Sequence, residues 1–511
     1  MYQIILTSKN IYYKNKTNIL LDFKYNYLYI ILKYLKNVIY YVTYNIIIKI
    51  LLAFTKKNYF TSKTNGSIGI FSIYPSWWNN VHTKNPIDMF FNDIPEFLNK
   101  IKPVKYLVLL SGFSSIIFSI KNISFLRKDK FVIINKCLTV SDILSIFNPL
   151  LLYKILVIKY IANKKALFFV DSLDFSILVK DEIIESLIDY TLFRNILLDK
   201  ALRHIDFNNF SIILYRLEFQ TLERPLVANS KNKTKIIGLQ HSAMSDNFLN
   251  YVFTEDELKF KHLDNIKYSL PLPDLVLTCG WLAYRYFIFA GFPKNRLFVV
   301  GGVRFKNLLE LTKLKYSKKR LRSLYNINIK AKIIFIPMSQ LLFENIFLIK
   351  DLILAVGVLN SPHHIVIKIN PSKINNKYFI EQIKKLFILN NTLITMELFD
   401  DKNNYHDYLC LSDVVLLTGG SVAFESVILG VPPIVYICYS QFSHNPMTKY
   451  PSSVFIVQNS ESMSKAFVDV NNSEIKNTKK QNFDKPIKDI FGDIKLSPKT
   501  ELIKIVSSYI N

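Results

Sequence analysis

Glycine is scarce, with 13 in 511 residues, and cysteine scarcer still, with four. Half of the residues are apolar, so the chain is neither disordered nor fibrous, and its length allows two or three domains with sizeable cores. The cysteines, Cys137, Cys279, Cys410 and Cys438, stand far apart and lack metal-ligand spacing. That excludes a zinc cluster and a disulfide framework and points to reduced thiols in a cytosolic protein. Acidic residues are the other shortage: 39 Asp and Glu face 65 Lys and Arg, a net charge of +26. Such a balance attracts anions, whether lipid headgroups, nucleic acid or an anionic substrate. An AT-rich coding sequence would itself raise lysine together with Ile, Asn, Phe and Tyr, so only part of the excess calls for a partner. The lysines are scattered and no nucleic-acid motif accompanies them, which leaves nucleic acid out.

The first 66 residues also lack a long uncharged run. They carry about ten lysines against one acid, Asp22, and their longest uncharged run, Asn37 to Ile48, is about a dozen residues, short of the roughly 20 that cross a bilayer. The segment should therefore not span, and without a basic start or a small-residue cleavage site it does not read as a secretory signal. Two uses stay open for this basic amphipathic helical extension. It lies in the interface of an anionic membrane, with aromatic rings at the headgroups and lysines reaching phosphate, or it packs as a helical pair on the body of the protein.

What is present from Ser67 onward is a series of strands that are apolar throughout. IGIFSIY, Val104–Leu110 and Leu167–Val170 are three such runs, with a helical pattern from Asp142 to Ile161 among them and a long amphipathic helix expected over Asp181–Arg203. Continuous apolar strands separated by helices mean a parallel sheet covered on both faces. A strand at Ile212–Tyr215 is followed by Glu218, Glu223 and Arg224, and one at Lys235–Leu239 by Gln240, His241 and Ser242. Ligands gather beyond the C-terminal ends of parallel strands, so the carboxylates there are candidates for acid/base work. His241 is open to three roles: a base, a phosphate or sugar ligand, or a loop histidine satisfied by backbone.

Lys313 to Asn328 is polar and basic with no sheet-like run, and a second strand–helix series follows it. The strand from Ile333 leads to Ser339, and the strand from His363 to Lys368 and Asn370. Two consecutive doubly wound halves predict an α/β protein of two Rossmann-like domains facing a cleft. The expected division is an extension at 1–66, a first domain at 67–312, a linker at 313–328, a second domain at 329–460 and a polar tail with a terminal helix at 461–511.

The most informative stretch is Asp413 to Val435. It reads as strand (Val414–Leu417), turn (Thr418, Gly419, Gly420, Ser421), helix (Val422–Leu429), glycine stop (Gly430) and a second buried strand after Pro432 and Pro433. Glycines let the backbone turn sharply there, and the first N–H groups of the helix face outward as a seat for an anion such as a diphosphate. Glu425 falls about one helical turn after Ser421, where its carboxylate can accept hydrogen bonds from sugar hydroxyls.

The succession YRLEFQTLERPL, GLQHS, LPDLVLTCG, GFPKNRLFVVGGVRF and TGGSVAFESVILGVPPIV resembles the bacterial surface-carbohydrate (capsule and O-antigen) biosynthesis proteins of the GT-B glycosyltransferase class. The likeness runs over about residues 68 to 457, and it is more distantly similar to the Kdo, CDP-glycerol and sialic acid transferases. The resemblance implies a second domain holding a nucleotide-sugar donor. Gly419, Gly420 and Ser421 would meet the diphosphate, Glu425 the ribose or sugar hydroxyls, and Ser339 and Lys368 the phosphates. The first domain would hold a glycan or lipid-linked acceptor, with Glu218 or His241 as the base that takes its hydroxyl proton. No separate cofactor is implied, and with no Asp-x-Asp at a strand end a metal-dependent GT-A arrangement is disfavoured. The place of work would be the cytoplasm, peripheral to the inner face of the plasma membrane.

Two positions depart from the family's pattern. Ser242 stands where Gln-His-Gly is usual, and Asn370 where relatives often show the His of His-Pro. Asn keeps a hydrogen bond but cannot carry charge. That opens a second reading, a catalytically silent scaffold with the same fold. A nucleotide-sugar epimerase is the third, and the basic extension speaks against it.

Overall fold

The computed structural model describes residues 27–53, 66–75, 77–79, 87–112, 130–164, 169–170, 173–174, 187–244, 270–305, 308, 318–339, 341–359, 361–370, 377–387, 394–399, 405–437, 445–493 and 497–510. Of the 1–66 extension, 1–26 and 54–65 lie outside them, as does Cys438. The chain divides into two compact units, the first built mainly from residues up to Leu239 and the second mainly from Leu277 to Ile505.

Helix α1 (Tyr27–Ala53) opens the first unit and buries Ile30, Tyr34, Val38, Tyr41, Ile48 and Leu52, one side of a 3.6-residue repeat. It is pinned by polar contacts. The Tyr34 ring meets Phe193 edge-on at 5.3 Å, the Asn37 amide donates to the Ile188 carbonyl at 2.7 Å, and Lys49 Nζ donates to the Leu138 carbonyl at 2.5 Å. The helix of the extension is thus packed on the body along one face.

The first sheet takes its strands from β1 (Ser67–Tyr74), β2 (Val104–Leu110), β3 (Phe131–Ile133), β4 (Phe210–Leu217), β5 (Lys235–Gln240), β6 (Leu275–Thr278) and β7 (Leu297–Val299). Their order is β7-β6-β5-β4-β1-β2-β3. At the centre β1 pairs in parallel with both neighbours, Ile70 lying opposite Tyr106 of β2 and Leu214 of β4. All eight residues of β1 are buried, as a strand covered on both faces requires. The third strand is Phe131–Ile133 and not Leu167–Val170: Phe169–Val170 forms a two-residue antiparallel ribbon with Leu173–Asp174. Of the helix expected over Asp181–Arg203, residues 181–186 lie outside the described residues, and Tyr190–Arg203 is helical after a break at the extended Asp189 (φ −75°, ψ 158°).

In the second unit β8 (Lys332–Pro337), β9 (His363–Lys368), β10 (Ile394–Phe399), β11 (Val414–Leu417), β12 (Pro433–Tyr436) and β13 (Phe455–Val457) pair in parallel in the order β10-β9-β8-β11-β12-β13. Side chains alternate between two cores, as the two-residue period of a strand demands. Ile333, Phe335, Val415 and Leu417 face the helices at 405–411, 422–428 and 484–491, while Ile334, Ile336, Val414 and Leu416 face those at 342–357, 377–387 and 460–471. Both sheets are doubly wound, and both keep a reversal of strand order at the centre.

One glycine earns its place by packing alone. Gly280, before the helix Trp281–Phe289, has an extended φ of −158° that any residue adopts. A Cβ there would lie 2.2 Å from the Asp489 carbonyl oxygen and 2.5 Å from the Ile490 carbonyl carbon. Backbone cannot yield as a side chain can, so Gly280→Ala should destabilise the second unit by about 2 kcal/mol or more, read as a lower denaturant midpoint at unchanged slope. An unaltered midpoint would show that this approach is looser than described.

Candidate functional site

The strand order places the site before any side chain is considered. In the second sheet β8, β9 and β10 follow one another outward, and the chain then returns to lay β11 on the other side of β8. Crevices form outside the C-terminal ends of strands at such a reversal. Met338 and Ser339 follow β8 there, and Thr418, Gly419, Gly420 and Ser421 follow β11.

The turn after β11 has the expected strand–turn–helix form, and its helix is short, Val422–Ile428. It is closed by Gly430 (φ +71°), with the Gly430 N–H on the Val427 carbonyl at 3.0 Å and the Val431 N–H on the Ser426 carbonyl at 2.8 Å. Gly420 has φ +102°, a left-handed conformation that favours glycine. Gly419 has no such reason, and an added Cβ at either glycine would meet nothing within 4 Å among the described residues. Neither backbone geometry nor packing demands glycine at 419. What remains, among the described residues, is open space at the switch point, with bare backbone facing it.

Polar groups ring that space. Ser421 Oγ donates to Glu425 Oε1 at 2.9 Å, and the Tyr405 hydroxyl donates to the other carboxylate oxygen. Glu425 is only 3% exposed, so its carboxylate fixes Ser421 and Tyr405. Lys368, at the end of β9, places Nζ 5.3 Å from the centroid of the Tyr405 ring, which also meets the His406 ring at 4.1 Å. Burial pulls His406 below the usual histidine range, against the raising influence of Glu425 and Asp407. Thr418 Oγ1 donates to Glu344 at 3.2 Å. Ser339 is held through its backbone: its N–H donates to Asn345 Oδ1 at 3.0 Å, and Asn345 Nδ2 returns a bond to the Ser339 carbonyl at 3.0 Å. Asn370 Nδ2 donates to the Met338 carbonyl at 3.4 Å. Ser339, Lys368, Asn370, Gly419, Gly420, Ser421 and Glu425 therefore share one edge of one sheet. Tyr405, Glu344 and Asn345 join them without having been signalled by sequence spacing.

The first sheet has its own reversal, between β1 and β4, and a buried charged cluster sits there. The Arg216 guanidinium lies 4.0 Å from the Trp77 ring and 5.1 Å from that of Phe90, within 2.5 Å of Gln220 Oε1 and 3.8 Å of Glu223 Oε1. Nearby, Asp88 accepts from Ser72 Oγ at 2.5 Å and from the N–H groups of Phe90 and Phe91, and burial pushes its carboxyl up to about 6. Glu218 is buried next to Phe219, whose φ of +52° is strained for an aromatic residue. The turn is held by Glu223, whose Oε2 accepts the Glu218 N–H at 2.9 Å. Burial pushes Glu223 up to about 8, against the lowering effect of that N–H and of Arg216.

His241 belongs to the second unit, in a turn locked by Gln240. The Gln240 amide donates to the Ser242 carbonyl, and Gln240 Oε1 accepts the Cys279 N–H at 3.3 Å and its thiol at 3.1 Å. Cys137, Cys279 and Cys410 are free thiols. Among the described residues no group of three or more His, Cys, Asp or Glu side chains is placed to hold a metal ion.

Two successive Rossmann-like sheets and a helical N-terminal segment make this a GT-B-like α/β protein in architecture. No family model and no curated protein matches the chain. Among solved structures, a glycosyltransferase from Rickettsia africae ESF-5 is similar at 9% identity, over 88% of this chain and 99% of that one, with a TM-score of 0.48. A UDP-GlcNAc 2-epimerase from Neisseria meningitidis, bound to UDP-GlcNAc, is similar at 13% identity over 87% and 100%, with a TM-score of 0.48. A putative UDP-N-acetylglucosamine 2-epimerase from Listeria monocytogenes is similar at 15% identity over 87% and 96%, with a TM-score of 0.49. Likeness at this level leaves the functional reading to the residues of the site.

Glu223 gives a pH signature. An unfolded glutamate loses its proton near 4.5 and the folded one near 8, so across that window the folded chain holds a proton that the unfolded chain has released. Stability therefore falls as pH rises through the window and levels off above it. Glu223→Gln removes this slope: its Tm should exceed that of the wild type by several degrees at pH 8 and approach it at pH 5. Parallel Tm curves would show that Glu223 is ionised in the fold at neutral pH.

Proposed function

We propose that the chain is a GT-B-type glycosyltransferase that moves a sugar from a nucleotide-sugar donor to a hydroxyl of a glycan or lipid-linked acceptor, in surface-polysaccharide assembly at the cytoplasmic face of a membrane. The observation that carries the proposal is the open switch-point turn at Gly419, where glycine answers neither a backbone nor a packing need. A diphosphate against that turn would take N–H groups of 418–421, with Lys368 Nζ supplying positive charge as the leaving group departs. Ser339, Asn370 and Ser421 offer the neutral hydrogen bonds. Glu425 keeps Ser421 and Tyr405 oriented, and a ribose or sugar hydroxyl would compete with them for its oxygens.

In the reaction the acceptor oxygen bonds to the anomeric carbon while the bond from that carbon to the phosphate oxygen breaks. The electron pair of the broken bond leaves with the nucleotide, and the acceptor's proton passes to Glu218 or His241. Charge from Lys368 and the turn lets this proceed without a bound metal. Asn370 contributes a hydrogen bond in place of the charge a histidine could carry.

The test is thermal unfolding with UDP-, CDP-, GDP- and CMP-linked sugars. A ligand at about 100 times its Kd adds roughly 2.7 kcal/mol. One nucleotide class should raise Tm. Gly419→Ala, which the fold tolerates, and Lys368→Ala should each weaken that binding by about tenfold or more while leaving the ligand-free Tm unchanged. Glu218→Gln should keep binding and lower transfer by about 100-fold or more. Wild-type affinity in Gly419→Ala would remove the turn from the site. Absence of any shift would favour the silent scaffold, and conversion of the sugar without an acceptor the epimerase.

A further inference from the structure

Helix α1 is apolar on two sides. Opposite the face packed on the first unit, Leu28, Leu32, Leu35, Ile39, Ile46 and Ile50 follow one another at helical spacing, and all six are exposed. Leu28, Leu32, Ile39 and Ile50 are each more than half exposed. A single exposed leucine needs no explanation, but a stripe along 27 residues does.

A second segment runs beside it. Residues 138–164 include the helix Val140–Leu144, a short turn and the helix Pro149–Lys164. Three contacts fix the direction: the Leu138 carbonyl meets Lys49, the carbonyls of Ile146 and Asn148 accept the Tyr34 hydroxyl, and Lys159 Nζ lies 4.2 Å from the Tyr27 ring. The segment therefore runs antiparallel along the length of α1. It too leaves apolar residues outside: Val140, Leu144, Phe147, Leu150 and Tyr153 are exposed, Leu150 and Tyr153 by 64% and 65%.

Charge decides what covers this surface. On the outer side Lys36 and Lys154 are exposed and Lys33 half-buried, while Lys49 and Lys159 turn inward to the Leu138 carbonyl and the Tyr27 ring; the one acid of the two segments, Asp142, is engaged by Thr139 and His204. A second copy of the chain would set these lysines against their own kind. An anionic surface would satisfy them while the apolar stripes leave water. Both segments are long and apolar enough to cross a bilayer by composition, but α1 cannot do so while its other face is packed on the sheet unit along its length.

We propose that the outer faces of α1 and of residues 140–160 form a docking surface for an anionic lipid bilayer, on which the protein lies without crossing. This does not depend on the nucleotide site, and it extends a membrane role beyond the N-terminal extension to a segment in the body of the first unit. Leucine and isoleucine enter the headgroup boundary, tyrosine rings such as Tyr153 sit at its level, and Lys33, Lys36 and Lys154 reach phosphate.

The test is co-sedimentation of the full chain with vesicles of phosphatidylcholine alone or mixed with phosphatidylglycerol, at low and high salt. The wild type should sediment with the mixed vesicles, bind the neutral ones weakly, and lose only part of its binding in high salt. Leu32→Glu/Ile39→Glu and, separately, Leu150→Glu/Tyr153→Glu should each lower the partition by about tenfold or more. Cooperative melting checks that the variants fold; if the first pair does not, the second carries the test. The proposal is overturned if the wild type stays in the supernatant, if the folded variants bind as it does, or if salt alone removes all binding. It is equally overturned if the chain forms a dimer that Leu32→Glu/Ile39→Glu dissolves and vesicles are ignored, for then the surface belongs to a second copy.

Discussion

A parallel strand that is apolar on both sides must be covered on both sides, and most of this molecule follows from that constraint. Parallel neighbours cannot be joined by a tight turn, so each pair needs a crossover long enough to hold a helix. Covering two faces requires the crossovers to change sides, and changing sides reverses the strand order. In the second sheet the reversal falls between β8 and β11, and the two loops leaving those strands must diverge. The gap at Gly419 is left by the winding of the chain. The side chains around it are those that this gap brings within reach.

How much could be read in advance varies with how far each feature depends on distant partners. The strands from Ile333 and His363, at Val414–Leu417 and after Pro433 were legible as apolar runs, and so was the turn at Gly419 and Gly420, because strand, turn, helix and glycine stop are local; the short edge strand Phe455–Val457 was not. The third strand of the first sheet was not. Phe131–Ile133 is three residues long and runs straight into a helix, while Leu167–Val170 looked like a strand because apolarity reports burial and says nothing of pairing. The partners of the site were hidden for the same reason. Thr418 and Glu344 are 74 positions apart, and Tyr405 reaches Glu425 only because one helix packs across another. Position could flag Glu218 and Glu223 together, but only burial beside Arg216 separates their roles.

The two polar clusters solve opposite problems. Around Gly419 the charged groups are tied to neutral hydroxyls, Glu425 to Ser421 and Tyr405 and Glu344 to Thr418, which fixes their geometry while leaving space in front of the backbone. Around Arg216 the groups are stacked between aromatic rings and withdrawn from water, which sets proton affinities and not shape. The first arrangement suits the proposed anion seat, and the second holds a proton on Glu223 near neutrality, where a carboxyl in water has already lost it.

Asn135 has a small place in the fold and a larger one in its consequences. Its side chain takes the Leu110 N–H at 2.8 Å and gives to the Leu110 carbonyl at 3.2 Å, closing the end of β2, and also reaches Asn45 of α1 at 3.4 Å. Helix α1 is thus fastened to the same edge of the first sheet at which Glu218 lies. From β2 to β4 is two strand spacings, about 10 Å. On the proposed docking surface the fold would act as a ruler, setting how far a lipid-borne acceptor must reach to meet Glu218.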